Sequence, residues 1–484
     1  MSYVKKYTFS GLFLMSVALG ANSASAQESE RINDLIDQVA KAYGGDELIE
    51  LDSFRLQDRY KQALPGQGYT ASYDEFVTFR RDTQLDLVRR KGSEERWTSN
   101  WNATLHLRVV SLPDAIATID YEDGFVRPAS FPDFDAAFGG AVRLSDTLLA
   151  RTLVLNRETA VMKDGEIYLG ERQQQVEIQM PHSPPLTLFV SEATGLISKM
   201  TRSRGPQTLH YIFGNYKKAG GIAYAADFSI FAGSTPVTIS VDRRVSVGNV
   251  APSIFGLDKS FRYEPARVDN QEMTVQKIGE GVHFVGRGPA YTVFIDAEDY
   301  VIAAGGYPGL RDRYEMFKKT TGNATPLKFQ VATHHHSDHL AGLSEALDLG
   351  ATLIAPKAAI EKIRSETGLE ENSIQLRTLN DVINEGPVEI YNVATNHVDE
   401  LALIYVPEAR TLFQADHYAA LHESEITPAG RRAVELYNAV NHLRLDVAII
   451  LSAHGGRPIA WAEFETAVEK FEGLPCRSQR SICQ

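Results

Sequence analysis

Residues 334–339 read His-His-His-Ser-Asp-His, and this hexapeptide constrains the chain more than any other stretch. It forms an H-x-H-x-D-H frame in which His334, His336, Asp338 and His339 offer three imidazoles and a carboxylate. An apolar run from Phe329 to Thr333 precedes it and reads as a buried strand. Leu340-Ala341-Gly342-Leu343-Ser344-Glu345-Ala346-Leu347 follows, with helical periodicity. A strand end, a short loop and a helix start aim such side chains at one small volume. Imidazole and carboxylate together suit zinc, with iron and manganese as poorer fits. Asp338 interrupts the tract in register between two structured elements, unlike an expression tag. His335 reads as a spacer pointing away rather than as a ligand.

The first 26 residues read as an address label. Lys5 and Lys6 give a basic start, and Phe9 to Ala21 is apolar but too short and Gly-interrupted for a spanning helix. Ala24-Ser25-Ala26 supplies a small-residue cleavage pattern, with Gln27 as the mature start. The expectation is an exported protein, periplasmic or secreted, with no transmembrane segment once the signal is removed. An uncleaved anchor is the alternative.

The chain of 484 residues is too long for one ordinary core, so two domains follow the signal. Removing Lys5 and Lys6 with that segment takes the formal net charge from −13 to −15. Such a surface repels phosphate backbones and argues against nucleic acid as a partner. Acidic substrates would need a local basic pocket that composition does not reveal. The two cysteines, Cys476 and Cys483, sit in the last nine residues, where an oxidising compartment would let them close a small disulfide loop. Two free thiols are the alternative, and oligomeric state is not legible.

Arg31 to Tyr43 carries Ile32, Leu35, Ile36, Val39 and Tyr43 on one helical stripe, stopped by Gly44-Gly45. From there to about Tyr263 the chain reads mostly as strands. Residues 54–60, 175–180 and 237–241 alternate apolar with polar, and 186–190 and 197–202 flank the hairpin connection Ser191–Gly195. This half contains no cluster of potential ligands. Tyr43-Gly44-Gly45, the stretch Tyr211-Ile-Phe-Gly-Asn-Tyr216 and Gly220-Gly221-Ile222 before a strand resemble the periplasmic lipoprotein-carrier fold. That resemblance implies a curved antiparallel sheet with a helix inside, acting as a binding or packing domain. A polar stretch around Pro265 to Gln271 marks the boundary. It divides a β-rich domain over 27–265 from a second domain over 270–484, where strands and helices alternate. Strands are expected near 281–286, 291–295, 300–304, 329–333 and 352–355. Helices are expected over 310–320, from His339, and over 357–366.

A two-metal site needs more ligands than the hexapeptide supplies. Three further candidates stand at the ends of apolar runs: His397 after Val388–Val393, Asp416 after Arg410–Ala415, and His454 after Val447–Ser452 and before Gly455-Gly456. Each alone has a bland alternative, because strand-end histidines and aspartates often cap helices or bond to backbone.

In that order the four signals resemble the metallo-β-lactamase fold superfamily, over roughly residues 272–472. Gly281-Val282 and Leu403-Ile-Tyr-Val-Pro-Glu408 extend the match. The resemblance implies an αβ/βα sandwich, so the expected class is α+β, with the sandwich preceded by a mostly antiparallel β domain. It implies that His334, His336 and His397 hold one metal, that Asp338, His339 and His454 hold a second, and that Asp416 bridges them. Two zinc ions per chain, or iron or manganese, would then generate a metal-bridged hydroxide. Asp338 would orient it or pass a proton to the leaving group. Asp416 points away from the antibiotic-hydrolysing branch, which typically has cysteine or a non-ligand there, and toward lactonase, thioesterase and general hydrolase branches. The strand that usually ends in an aspartate ahead of the hexapeptide reads Val301-Ile-Ala-Ala-Gly305, which lacks that supporting carboxylate. His417 and Tyr418, next to Asp416, could face a substrate as proton donor or oxyanion partner but read rather as packing residues, and His422 and His442 as less relevant still.

The leading expectation is an exported binuclear zinc-dependent hydrolase of a small ester, lactone, thioester or amide. The alternatives are a di-iron redox enzyme and an envelope lipid- or ligand-binding protein with a sensing or structural metal domain.

Overall fold

The computed structural model describes residues 14–72, 76–99, 104–257, 261–371 and 373–472. The basic start of the signal segment and both cysteines, with the disulfide expected of them, lie outside the described residues. Among the described residues no helix is long and apolar enough to cross a membrane.

The stripe read at Arg31–Tyr43 belongs to a helix over Leu14–Tyr43, and Ile36, Val39 and Tyr43 on it are fully buried. It packs on a single 14-stranded sheet whose strands come from residues 53–263. Every pairing in that sheet is antiparallel except Arg262–Tyr263 against Phe125–Pro128. Alternation with period two is what lets one face turn to the helix and the other to water. The hairpin read at 186–202 is present as Leu186–Ser191 and Ile197–Arg204.

Two helices in this half escaped the strand-dominated reading: Phe134–Arg143 and Asp146–Leu155. Asp133 caps the first by accepting from the Ala136 N–H, and Ser145 caps the second by accepting from the Leu148 N–H. Leu148, Leu149 and Leu153 join Ile36, Val39, Leu56, Val176 and Ile197 in one core. A buried polar network ties this core together. Tyr43 Oη donates to Asp146 Oδ2 at 3.0 Å and accepts from the Ile197 N–H, while Asp146 also accepts from the Ala225 N–H. Arg243 donates to Asp58, to Ala225 O and to Leu144 O.

From Thr274 onward the chain builds two sheets. One has seven strands, ordered by residue 274–279, 282–287, 290–296, 301–304, 327–331, 352–356 and 376–379. The other has six: 382–385, 388–393, 401–406, 411–414, 449–452 and 459–460. Central strands such as Val301–Ala304 and Leu401–Val406 are almost wholly apolar because both of their faces are buried. Ile302 and Ala304 face a core shared between the sheets, whereas Val301 and Ala303 face the helices Leu310–Thr321, Leu343–Asp348 and Ile360–Thr367. In the second sheet Ala402 and Ile404 take the shared core, whereas Leu401 and Leu403 meet the helices Arg431–Leu443 and Trp461–Glu469. The result is helix, sheet, sheet, helix: the αβ/βα sandwich of an α+β chain.

Two local readings shift. The strand ahead of the hexapeptide ends at Val331 rather than Thr333, which frees Ala332 and Thr333 for the loop. The helix expected from His339 is two short pieces, Ser337–Leu340 and Leu343–Asp348. The break falls at Gly342, whose N–H donates to Gly306 O and where a Cβ would lie 2.0 Å from Tyr307 O.

Candidate metal centre

All seven residues singled out in the sequence meet at one edge of the sandwich. His334 and His336 lie in the loop after Leu327–Val331, and Asp338 and His339 in the helical turn that follows. His397 follows Val388–Val393, and Asp416 and His454 each stand two residues beyond their strands. The strands Thr411–Gln414 and Ile449–Ser452 pair in parallel with Gln414 opposite Ser452, so Asp416 and His454 leave the sheet side by side. The Ala402 N–H donates to Thr333 O at 2.7 Å and joins the two sheets at this edge.

The side chains form two groups around Asp416, one of His334, His336, His397 and Asp416 and one of Asp338, His339 and His454. Oδ2 of Asp416 lies 3.0 Å from His397 Nε2, 3.6 Å from His334 Nε2 and 4.0 Å from His336 Nδ1. Oδ1 lies 2.7 Å from His339 Nε2 and 3.0 Å from His454 Nε2. Asp338 Oδ2 completes the second group, 3.5 Å from His339 Nε2 and 4.0 Å from His454 Nε2. One carboxylate thus presents a different oxygen to each group.

Burial separates the two groups. His334, His336, His339 and His397 are closed off, and the Asp416 side chain is 8% exposed. Asp338 at 38% and His454 at 34% open the second group to solvent. His334 Nε2 and His336 Nδ1 point inward, buried and without a hydrogen bond. Unpaired buried nitrogens are costly, and a divalent cation satisfies them as no side chain here does. The donor set of imidazole and carboxylate fits zinc-type ions.

The electrostatics agree with that fit. Burial, with neighbouring His339, pushes the His334 imidazole well below its usual range, and burial with His397 pushes His336 down to about 3. Both are therefore neutral at pH 7, as ligands must be. Burial works against an ionised Asp416, but His339 and His334 hold its carboxyl well below the carboxylate range. Asp338 is likewise lowered, burial being outweighed first by His339.

The surroundings orient these side chains. Thr333 Oγ1 lies 3.2 Å from His334 Nδ1. Tyr307 Oη stands 3.2 Å from Asp338 Oδ2 and within 2.8 Å of the His454 ring nitrogens. It follows Gly305-Gly306, so a tyrosine stands near the place where an aspartate was missed. The other support comes from far away in sequence. His336 Nε2 donates to Gly68 O at 3.1 Å, which leaves Nδ1 free to face inward. His335 Nε2 donates to the same carbonyl at 2.9 Å, so His335 belongs to neither group. Gln67 Nε2 donates to Asp338 Oδ1 at 2.8 Å. The Ser337 and Asp399 N–H groups donate to Gly66 O and Tyr69 O. Residues 64–69, which leave the strand Ser53–Ala63 of the large sheet, are therefore a strap across the cage. Gly66 has φ +70° and a Cβ there would lie 2.8 Å from Ser337, so the strap admits only glycine at this point. The sequence carries no local signal for Gln67 or Gly68; Gly305-Gly306 was the available pointer to Tyr307.

The remaining histidines play other parts. His417 is buried with its ring 5.6 Å from that of His397, and neither ring nitrogen makes a hydrogen bond. Burial and then His397 push it down to about 3. Tyr418 donates to Thr427 O and packs against Phe464. His422 pairs with Glu264 at 3.2 Å. In the N-terminal half, His106 and His182 pair with Glu95 and Asp133.

No family model matches the chain. Among solved structures it is similar to a metallo-β-lactamase from Hirschia baltica, with 19% identity over 41% of this chain and 96% of that one and a TM-score of 0.33. It is also similar to one from Pontibacter korlensis, with 13% identity over 41% and 98% and a TM-score of 0.33. The sec-alkylsulfatase Pisa1 from Pseudomonas sp. matches at 15% identity over 41% of each chain, with a TM-score of 0.32. None of these supports the lipoprotein-carrier resemblance of the N-terminal half; the likeness is to the metallo-β-lactamase fold, over about two-fifths of the chain.

Proposed function

We propose that the chain is a binuclear metal-dependent hydrolase acting on a small ester, lactone, thioester or amide. The observation that carries this reading is Asp416, whose two oxygens each face a separate group of imidazoles. His334, His336 and His397 would hold one ion, Asp338, His339 and His454 the other, and Asp416 both. Divalent cations bound there would activate water near neutral pH and polarise the substrate carbonyl. Asp338, on the open side, accepts a proton from the attacking water and returns it to the leaving group. Water oxygen adds to the acyl carbon, the bond to the leaving oxygen, nitrogen or sulfur breaks, and the products are an acid and an alcohol, amine or thiol. Tyr307 stays protonated, because burial and the charges of Asp338 and Asp416 raise its hydroxyl far above the usual range. It therefore serves as a hydrogen-bond donor beside Asp338.

We further propose export of the chain, with cleavage after Ala26, and a division into domains over 27–265 and 270–484. N-terminal sequencing and limited proteolysis test these two points. The function is tested by metal analysis joined to a hydrolysis screen, with Asp338→Ala as the control. Two equivalents of zinc and an activity lost in the variant are expected. Trace metal, with no esterase, lactonase, thioesterase or amidase activity after zinc, iron or manganese is added, overturns the reading. A colourless zinc-loaded protein excludes the di-iron alternative.

A further inference from the structure

The strap that touches the metal centre has a second face. Leu64, Pro65 and Gln67 also line a cavity of about 640 Å³ against the large sheet. Its wall is mixed. Leu209, Ile230 and Val237 make one part apolar, and Arg202 and Arg204 bring positive charge. Arg202 Nε donates to Tyr211 Oη at 2.9 Å on the cavity wall. Arg143, at the end of the helix Phe134–Arg143, stands near the same tyrosine and close enough to Arg202 for mutual repulsion. Among the described residues, Arg143, Arg202 and Arg204 form no ion pair with any carboxylate, although the chain carries 62 acidic residues against 49 basic ones. Elsewhere its arginines are commonly paired, as Arg55 is with Asp82, Arg127 with Asp120 and Arg457 with Glu463. Converging guanidiniums without a counter-charge are unfavourable by themselves and present a fork that matches an oxyanion. The apolar wall next to them suits a hydrocarbon portion of the same molecule.

We propose that this cavity seats the non-reacting part of the substrate, an oxyanion headgroup on an apolar chain, with the scissile bond directed past Gln67 toward Asp338. The assignment rests on the hydrolase reading for the scissile bond, but the binding site stands on the cavity alone. Arg202 on the cavity wall, with Arg143 beside it adding positive charge, holds the headgroup, and Leu209, Ile230 and Val237 hold the chain. Gln67 is common to the cavity wall and to the second metal group, so it joins binding to chemistry.

The test uses the full-length, zinc-loaded protein and calorimetric titration with decanoate, decyl phosphate and decanol below their micellar concentrations. Either anion is expected to bind at least tenfold more tightly than decanol, and the tighter of the two identifies the headgroup as carboxylate or phosphate. The double variant Arg143→Gln, Arg202→Gln is expected to lose at least tenfold in anion affinity, and Ile230→Trp, which fills the cavity from the strand beside Tyr211, to lose binding of all three. Zinc content stays unchanged in both. In kinetics, the double variant should raise KM about tenfold for mono-p-nitrophenyl sebacate at unchanged kcat and leave p-nitrophenyl decanoate unaffected. Anions that bind no better than decanol, or a double variant that binds like the wild type, overturn the site. An unchanged KM for the anionic ester overturns its use by substrate. If the wild type hydrolyses neither ester, these esters fail as substrates, and the titrations alone uphold or overturn the cavity.

Discussion

Replacing Gln67 with alanine separates the two metal groups functionally. The Gln67 amide donates to Asp338 Oδ1 at 2.8 Å, and Asp338 belongs to one group only. A hydrogen bond to a charged acceptor contributes about 1.5–3 kcal/mol. Asp338 is 38% exposed, so water replaces part of the loss and the lower end applies. Since each 1.4 kcal/mol or so is a factor of ten, the ion held by Asp338, His339 and His454 should bind roughly tenfold more weakly. The ion of His334, His336 and His397 should be unaffected, because the strap's hold on that group runs through the Gly68 carbonyl, which the substitution leaves in place. The assay is zinc competition against a chromophoric chelator, resolved into two steps, with circular dichroism to verify the fold. One step shifted and the other fixed is the expected result. Two steps that shift in parallel, or none that shifts, refute the argument that the strap positions Asp338.

Three further substitutions probe the scaffold. In Gly306→Ala the new Cβ would lie 1.5 Å from His339 O, so the turn carrying Asp338 and His339 must move; one equivalent of zinc per chain instead of two is expected by metal analysis. Asp146→Ala strips Tyr43 and the Ala225 N–H of their buried acceptor and leaves Arg243 less compensated, for an expected loss of about 3–5 kcal/mol in urea denaturation. Glu264 gives a pH signature: burial opposes its ionised form, but Arg267, His422 and Arg127 hold its carboxyl below the ordinary range. A depressed folded value means that the contribution is present above the unfolded value near pH ~4.3 and is lost as pH falls through the folded one. Glu264→Gln should therefore cost about 1 kcal/mol near neutrality and progressively less as pH falls below the unfolded value, in metal-stripped protein so that ion release does not intrude.

The cluster was legible because its histidines and aspartates announce themselves locally. Four of them fall within six residues, and His397, Asp416 and His454 each end an apolar run, which is where a sandwich delivers side chains to its edge. The four layers were legible for a related reason, since strands buried on both faces, such as Val301–Ala304 and Leu401–Val406, are almost wholly apolar. What escaped is what depends on distance or on weak local preference. Gln67 and Asp338 are 271 residues apart, and no window of sequence contains both. The helices Phe134–Arg143 and Asp146–Leu155 hold Gly139 and Gly140 and a run of adjacent leucines, which blur the 3.6-residue period. The strand before the hexapeptide lies two residues earlier than the apolar pattern suggests, because Ala332 and Thr333 are buried although they lie outside the ladder.

The Gly68 carbonyl also imposes an order of events. It serves rings 267 and 268 residues further along, so during synthesis the strap emerges long before the histidines it will orient. Contacts of such separation form late. Until the two halves dock, His336 is free to present either nitrogen, and an ion that arrives early meets a flexible His-rich tract rather than a cage. Ions bound by these residues would reach their full affinity only after the strap docks, and a cut between the halves would weaken their binding without removing any of the seven side chains.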